Sequence, residues 1–208
     1  MPETTVKDLP ENLRQLAVQS RDALSRGNHG MVIDLAGRIL RPYPGCLAIR
    51  RLQREAQLKQ SPGGASAVQR TKGVVAQLGS LLRRKDTGED SSAIAKADGV
   101  IAADPWSRKG WQQLAEATGE GGLPETAVFA WENLVAMVPA DKTAGLGLVK
   151  AQLNLNRYPE ALKSVESLLR HHPKDGAALA LLRRASIDHT VEKGKWDSDA
   201  SSRDKLRG

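Results

Sequence analysis

The side chains of this 208-residue chain that could do chemistry are four histidines, one cysteine, and a dense set of arginines and lysines. A metal centre needs several ligands converging from fixed spacings. His29 stands at a turn, His171 and His172 adjoin Pro173, and His189 opens the C-terminal tail, and no set of them has the helical spacing of a metal site. Adjacent His171 and His172 would point to different faces of a helix. Gly63 and Gly64 follow Pro62 but lack the Lys-Ser or Lys-Thr that completes a phosphate-cradling loop. The serines form no nucleophile elbow. Cys46 is the single cysteine, which excludes an intrachain disulfide and a thiolate cluster, and it is expected to pack in a helix. No catalytic residue, metal site or cofactor is expected, and the chain is read as not an enzyme.

Charge offers a different chemistry. From Arg38 to Lys85 eleven basic residues face one acid, Glu55, a net +10 within a chain of net +7. Such a stretch attracts an anionic partner. Arg50, Arg51, Arg54, Lys59, Arg70, Lys72, Arg83, Arg84 and Lys85 are expected to form a basic patch. Nucleic acid would find phosphate contacts there, but single-strand recognition adds aromatic platforms, and Tyr43 is the one aromatic of the stretch. An anionic membrane would suit a helix with Ala48, Ile49, Leu52 and Ala56 on one face and Arg50, Arg51 and Arg54 largely on another. That face has no Trp or Phe to anchor it. An acidic protein segment is the third candidate.

The tail carries a further pattern. Trp196 is flanked by Asp197 and Asp199 in the otherwise polar stretch 189–208, after a helix expected to end near Asp188. Two readings are open: the indole covers the apolar edge of the last helices, or Trp196, Asp197 and Asp199 act as a docking peptide or self-ligand.

The elements that must position these groups are set by a period. Pro105, Pro139 and Pro173 stand 34 residues apart. Twelve residues before each come Ala93, Ala127 and Ala161; five before come Val100, Leu134 and Leu168. Seventeen before come Gly88, Gly122 and Asn156, residue types that tolerate a left-handed backbone and end a helix cheaply. Each repeat reads helix, tight turn, helix, proline. First helices are marked by Ser80, Leu114, Leu148 and Leu182, and second helices by Ala97, Trp131 and Val165 facing inward. A repeat this short cannot bury a core alone and must stack on its copies.

Trp111, Leu114, Ala115, Ala127 and Pro139 together resemble the tetratricopeptide repeat. The next copy keeps Leu148, Tyr158, Ala161 and Pro173 but has Gly145 in place of a bulky residue, where weaker packing is expected; the copy ending at Pro105 has Gln77 and Ser80 in its first helix. The resemblance covers 74–175 and implies an all-α fold, a right-handed αα-superhelix of helix-turn-helix repeats. It also implies a scaffold or adaptor of bacterial type that binds extended or helical peptides in a groove lined by first helices. The groove rows would be Leu78, Gln112, Leu146 and Ala180, then Leu82, Glu116, Lys150 and Arg184. Only Lys150 and Arg184 suggest a carboxylate clamp, so none is expected. With this resemblance an acidic protein segment ranks first as partner; second is an anionic membrane surface, to which the chain would link a protein assembly or cytoskeletal filament as a peripheral adaptor; nucleic acid is third.

The expected organisation is a flexible N-terminus over 1–10 and a helical-repeat domain over 11–188, followed by a polar tail over 189–208. Within the domain, 11–73 is degenerate, 74–175 regular, and 176–188 a cap with a polar outer face, since Arg183 stands where earlier repeats carry Leu81, Ala115 and Val149. The diverged repeat at 13–44 ends at Pro44, and helices are expected at 45–60 and 66–85. No apolar run approaches a membrane span, and Glu3, Lys7, Asp8 and Glu11 leave no signal segment, so a cytoplasmic location is expected.

Overall fold

The computed structural model describes residues 3–61 and 92–205. The helices among them are α1 (Glu11–Ser25), α2 (His29–Leu40), α3 (Leu47–Gln60), α4 (Ala93–Ala103), α5 (Arg108–Glu120), α6 (Pro124–Met137), α7 (Lys142–Asn154), α8 (Tyr158–His171) and α9 (Gly176–Lys205), with a 3₁₀ turn at Val6–Asp8. The described residues are all-α, and the fold is a helical repeat. The chain divides into two compact units, Met1–Asn133 and Leu134–Gly208.

In the first unit α2 packs on α1 and α3, and α4 packs on α5. Small residues permit the close approach: Ala17, Ala36, Cys46 and Ile49 share one core cluster with Leu9, Ile39 and Leu40, while Ala23, Val32 and Ala56 form another. In the second unit α8 packs between α7 and α9, burying Val149, Leu153, Ala161, Val165, Leu168, Ala178, Leu181 and Ala185.

The turns follow the period. Gly122 and Asn156 have φ of 73° and 56°, the left-handed geometry expected of them. Gly27, with φ 72°, stands seventeen residues before Pro44, so the diverged N-terminal repeat keeps the same helix stop. Helix starts are capped by side chains that satisfy otherwise orphaned N–H groups. Asn28, Ser92, Ser107, Asp141 and Asp175 accept from the backbone N–H three residues on, at 2.9–3.2 Å. The inward alanines and their partners behave as read, with Ala97, Ala127, Trp131, Ala161 and Val165 buried, whereas Ala93 is exposed.

Four expectations change. Residues 3–10 do not hang free: Thr4 N–H donates to Gly45 O at 3.3 Å, Leu9 is buried, and Glu3 Oε1 accepts from Thr126 N–H at 2.7 Å. Glu3 thus caps α6, which opens with Pro124, from the far end of the sequence. The last helix does not stop near Asp188 but runs to Lys205, because no proline interrupts 189–205. Its outer face is not wholly polar, since Leu179, Ile187 and Val191 are exposed beside Arg183. Gly145 leaves less of a gap than expected: it is buried, and a Cβ there would stand 2.7 Å from Leu168 Cδ1, so Leu168 takes part of the room.

Candidate functional site

The basic stretch is split by burial. Arg50 and Arg54 are 3% and 6% exposed, so neither belongs to a surface patch. The physical reason lies in α3, whose two faces are both covered. Ile49 and Ala56 face the first core clusters, while Arg50, Arg54 and Gln57, at i, i+4 and i+7, line a second buried face. Arg50 forks onto Asp98 of α4, with Nη1 to Oδ1 at 2.7 Å and Nη2 to Oδ2 at 3.1 Å, and its Nε donates to Pro44 O at 2.7 Å. A bidentate pair with the third donor also used leaves little uncompensated.

Among the described residues Arg54 has no carboxylate partner. Its guanidinium carbon lies 5.2 Å from the Trp106 ring centroid and 4.8 Å from that of Trp111. Nε donates to Asn133 Oδ1 at 2.8 Å and Nη1 to Pro105 O at 2.7 Å. Ring faces and neutral acceptors stand in for water. Burial pulls the Arg54 pKa down to about 10, which still leaves the group charged at neutral pH. The indoles are themselves held, Trp106 Nε1 donating to Ser61 O at 3.1 Å and Trp111 Nε1 to Pro105 O at 3.0 Å. Phe129 meets Trp111 edge to face at 5.9 Å.

Of the remaining patch residues, Arg51 is exposed, and so is Lys59, which pairs with Glu55 at 2.7 Å. Arg70, Lys72, Arg83, Arg84 and Lys85 lie outside the described residues, as do the groove positions Leu78 and Leu82. The arrangement imagined for an interfacial membrane helix therefore keeps one of its three arginines on the surface.

The other groove positions fall on first helices. Gln112 and Glu116 lie on α5 and bond to each other at 2.9 Å. In the second unit, Leu146 on α7 is half-buried against the core, and Lys150 on the same helix is exposed. Ala180 and Arg184 are exposed on α9, with Arg184 Nε 3.5 Å from Asp188. The two helices are neighbours. Trp196, Asp197 and Asp199 lie within the helical run of α9.

Other titratable groups serve the fold. Asp175 caps α9 and binds Lys142, and these bonds, that from Lys142 first, hold its carboxyl below the usual range. Burial pushes the Cys46 thiol up, keeping it protonated and inert. His172 Nε2 is 2.8 Å from Ala140 O, a helix-end contact rather than catalytic geometry.

A shallow cleft of about 210 Å³ opens in the second unit, lined by Val135, Pro139, Gly145, Leu148 and Leu168, with Lys163, Ser164 and Ser167. The sequence reading missed both this cleft and the Arg54 box. The one signal for the box was a pair of tryptophans, Trp106 and Trp111, in a chain that is 3% aromatic.

No curated protein matches the chain. Among solved structures it is similar to one titled "Crystal structure of MamA protein", at 13% identity over 95% of this chain and 94% of that one, with a TM-score of 0.45. The family profile described as "Tetratricopeptide repeat" matches residues 120–185. Repeats of this kind are in general non-catalytic scaffolds for protein–protein interaction. Over 120–185, with its hairpins, left-handed turns and closing prolines in register, the chain matches the tetratricopeptide repeat.

Proposed function

We propose that this protein is a cytoplasmic scaffold or adaptor that captures an acidic or amphipathic segment of a partner protein. The observation that carries this reading is the contact of α7 with α9, two neighbouring helices that carry the exposed cations Lys150 and Arg184 and the half-buried apolar Leu146. Apolar side chains anchor a bound segment, and the surrounding cations select its charge and raise its capture rate. The chain's net +7 works in the same direction. Trp196, Asp197 and Asp199 add a second contact at the C-terminal end in this proposal, with the indole as anchor. Burial of Arg50 and Arg54 moves the recognition surface away from α3.

The test is a titration of a fluorescent glutamate-rich peptide into the full chain and into the variant carrying Lys150→Glu and Arg184→Glu. Affinity for the variant is expected to fall about tenfold, near the value of two exposed charge contacts and their reversal. Equal affinity for both proteins would reject this surface.

A further inference from the structure

The cleft in the second unit has a counterpart one period earlier, and the two are furnished differently. Counting back 34 residues from its lining gives, within the first unit, Ile101, Pro105, Trp111, Leu114, Phe129, Ala130 and Asn133. In the first unit that place is full. The Trp111 indole donates to Pro105 O, Phe129 meets the indole ring edge to face, and Arg54 lies over the ring while bonding to Asn133.

In the second unit, Gly145 replaces the tryptophan, Lys163 the phenylalanine and Ser167 the asparagine. Leu168 takes part of the vacated room, and about 210 Å³ stays open to the surface. This is smaller than the roughly 300–1,000 Å³ of a small-molecule site. It exceeds a cavity of about 150 Å³ that accepts a benzene ring. The space therefore suits one aromatic side chain. Its walls are apolar at Val135, Leu148 and Leu168, and its polar members are one cation and two hydroxyls, with no carboxylate among them.

We infer that this cleft is a docking site for a tryptophan or tyrosine of a partner protein, presented beside carboxylates that Lys163 meets at the rim. The inference rests on the scaffold reading and gives it a second, separate contact surface. The incoming ring takes the place that Trp111 holds one repeat earlier, and the lysine offers its charge to the ring or to the neighbouring acid. A second copy of this chain is the poorer occupant, because each copy brings a net charge of +7.

The probe is a fluorescein-labelled acidic peptide with one central tryptophan, compared with its Trp→Ala counterpart by anisotropy against the full chain. The Trp→Ala peptide is expected to bind at least about tenfold more weakly, the fold-change of burying one large ring. Lys163→Glu is expected to weaken the tryptophan peptide about fivefold, whereas Arg51→Glu, on exposed α3 surface, leaves it unchanged. Gly145→Ala, whose Cβ drives Leu168 into the cleft, is expected to weaken it as well. If acidic peptides bind without regard to tryptophan or Lys163, the scaffold reading stands and the cleft assignment falls; if no acidic peptide binds, both fall. A two-chain species in sedimentation that Trp196→Ala abolishes would seat a second copy's tail in the cleft and overturn the choice of partner.

Discussion

Arg54 is charged, nearly sealed from solvent, and without a carboxylate among the described residues, where two indole faces and two neutral acceptors surround it. Truncating it removes the cation–π contacts and strands Asn133 Oδ1, while Pro105 O keeps only its bond from Trp111 Nε1. Arg54→Ala is expected to lower the unfolding free energy by about 3 kcal/mol, against less than about 0.5 kcal/mol for exposed Arg51→Ala. Urea denaturation of both variants measures the contrast. Arg54→Lys should recover only part of the loss, because an ammonium cannot reproduce the planar fork. Neighbouring arginines of identical composition thus have opposite settings. Sequence spacing puts Arg50 and Arg54 on one helical face, but their partners Asp98, Asn133 and Trp106 stand 48–79 residues away, beyond what local periodicity can reveal.

At the scale of elements, two glycines govern how closely helices approach, and their surroundings separate them. A Cβ at Gly110 would meet Ile101 Cγ1 at 2.9 Å, Val100 Cγ1 at 3.0 Å and the Ile101 backbone nitrogen at 3.4 Å. At Gly145 the near atoms all belong to the Leu168 side chain. The crowding atoms at Gly110 are γ carbons of β-branched side chains, which turn less freely than the far end of a leucine. Gly110→Ala is therefore expected to destabilise by about 2 kcal/mol, since overpacking outweighs the gain in helix propensity. Gly145→Ala should cost less than about 1 kcal/mol, because Leu168 can turn into the open cleft. Thermal melts followed by circular dichroism report both. The helices themselves were legible: α1, α2 and α3 and the hairpins of 92–175 follow from prolines, turn residues and inward alanines. What escaped was the effect of one substitution in the repeat, because a missing bulky residue reads as poor packing until Leu168 is seen in its place. The end of α9 escaped for a related reason. A polar composition over 189–205 reads as tail, although nothing in it stops a helix.

For the whole molecule, the basic stretch loses two arginines to internal structure, while Lys150 and Arg184 of the second unit are exposed on neighbouring helices. The period, which set the fold from sequence, does not reveal which charges reach solvent. It does expose the cleft once equivalent positions are compared, since the same place is plugged in one repeat and open in the next. The N-terminal segment belongs to the first unit through Glu3 and Leu9. The central claim is that an acidic partner segment is held by the second unit. Hydrogen exchange of the full chain, alone and saturated with a tryptophan-bearing acidic peptide, tests it most directly. Slowed exchange in α7, α8 and the first half of α9, with α1–α3 unchanged, is the expected result; protection confined to α1–α3, or none anywhere under saturation, would contradict it.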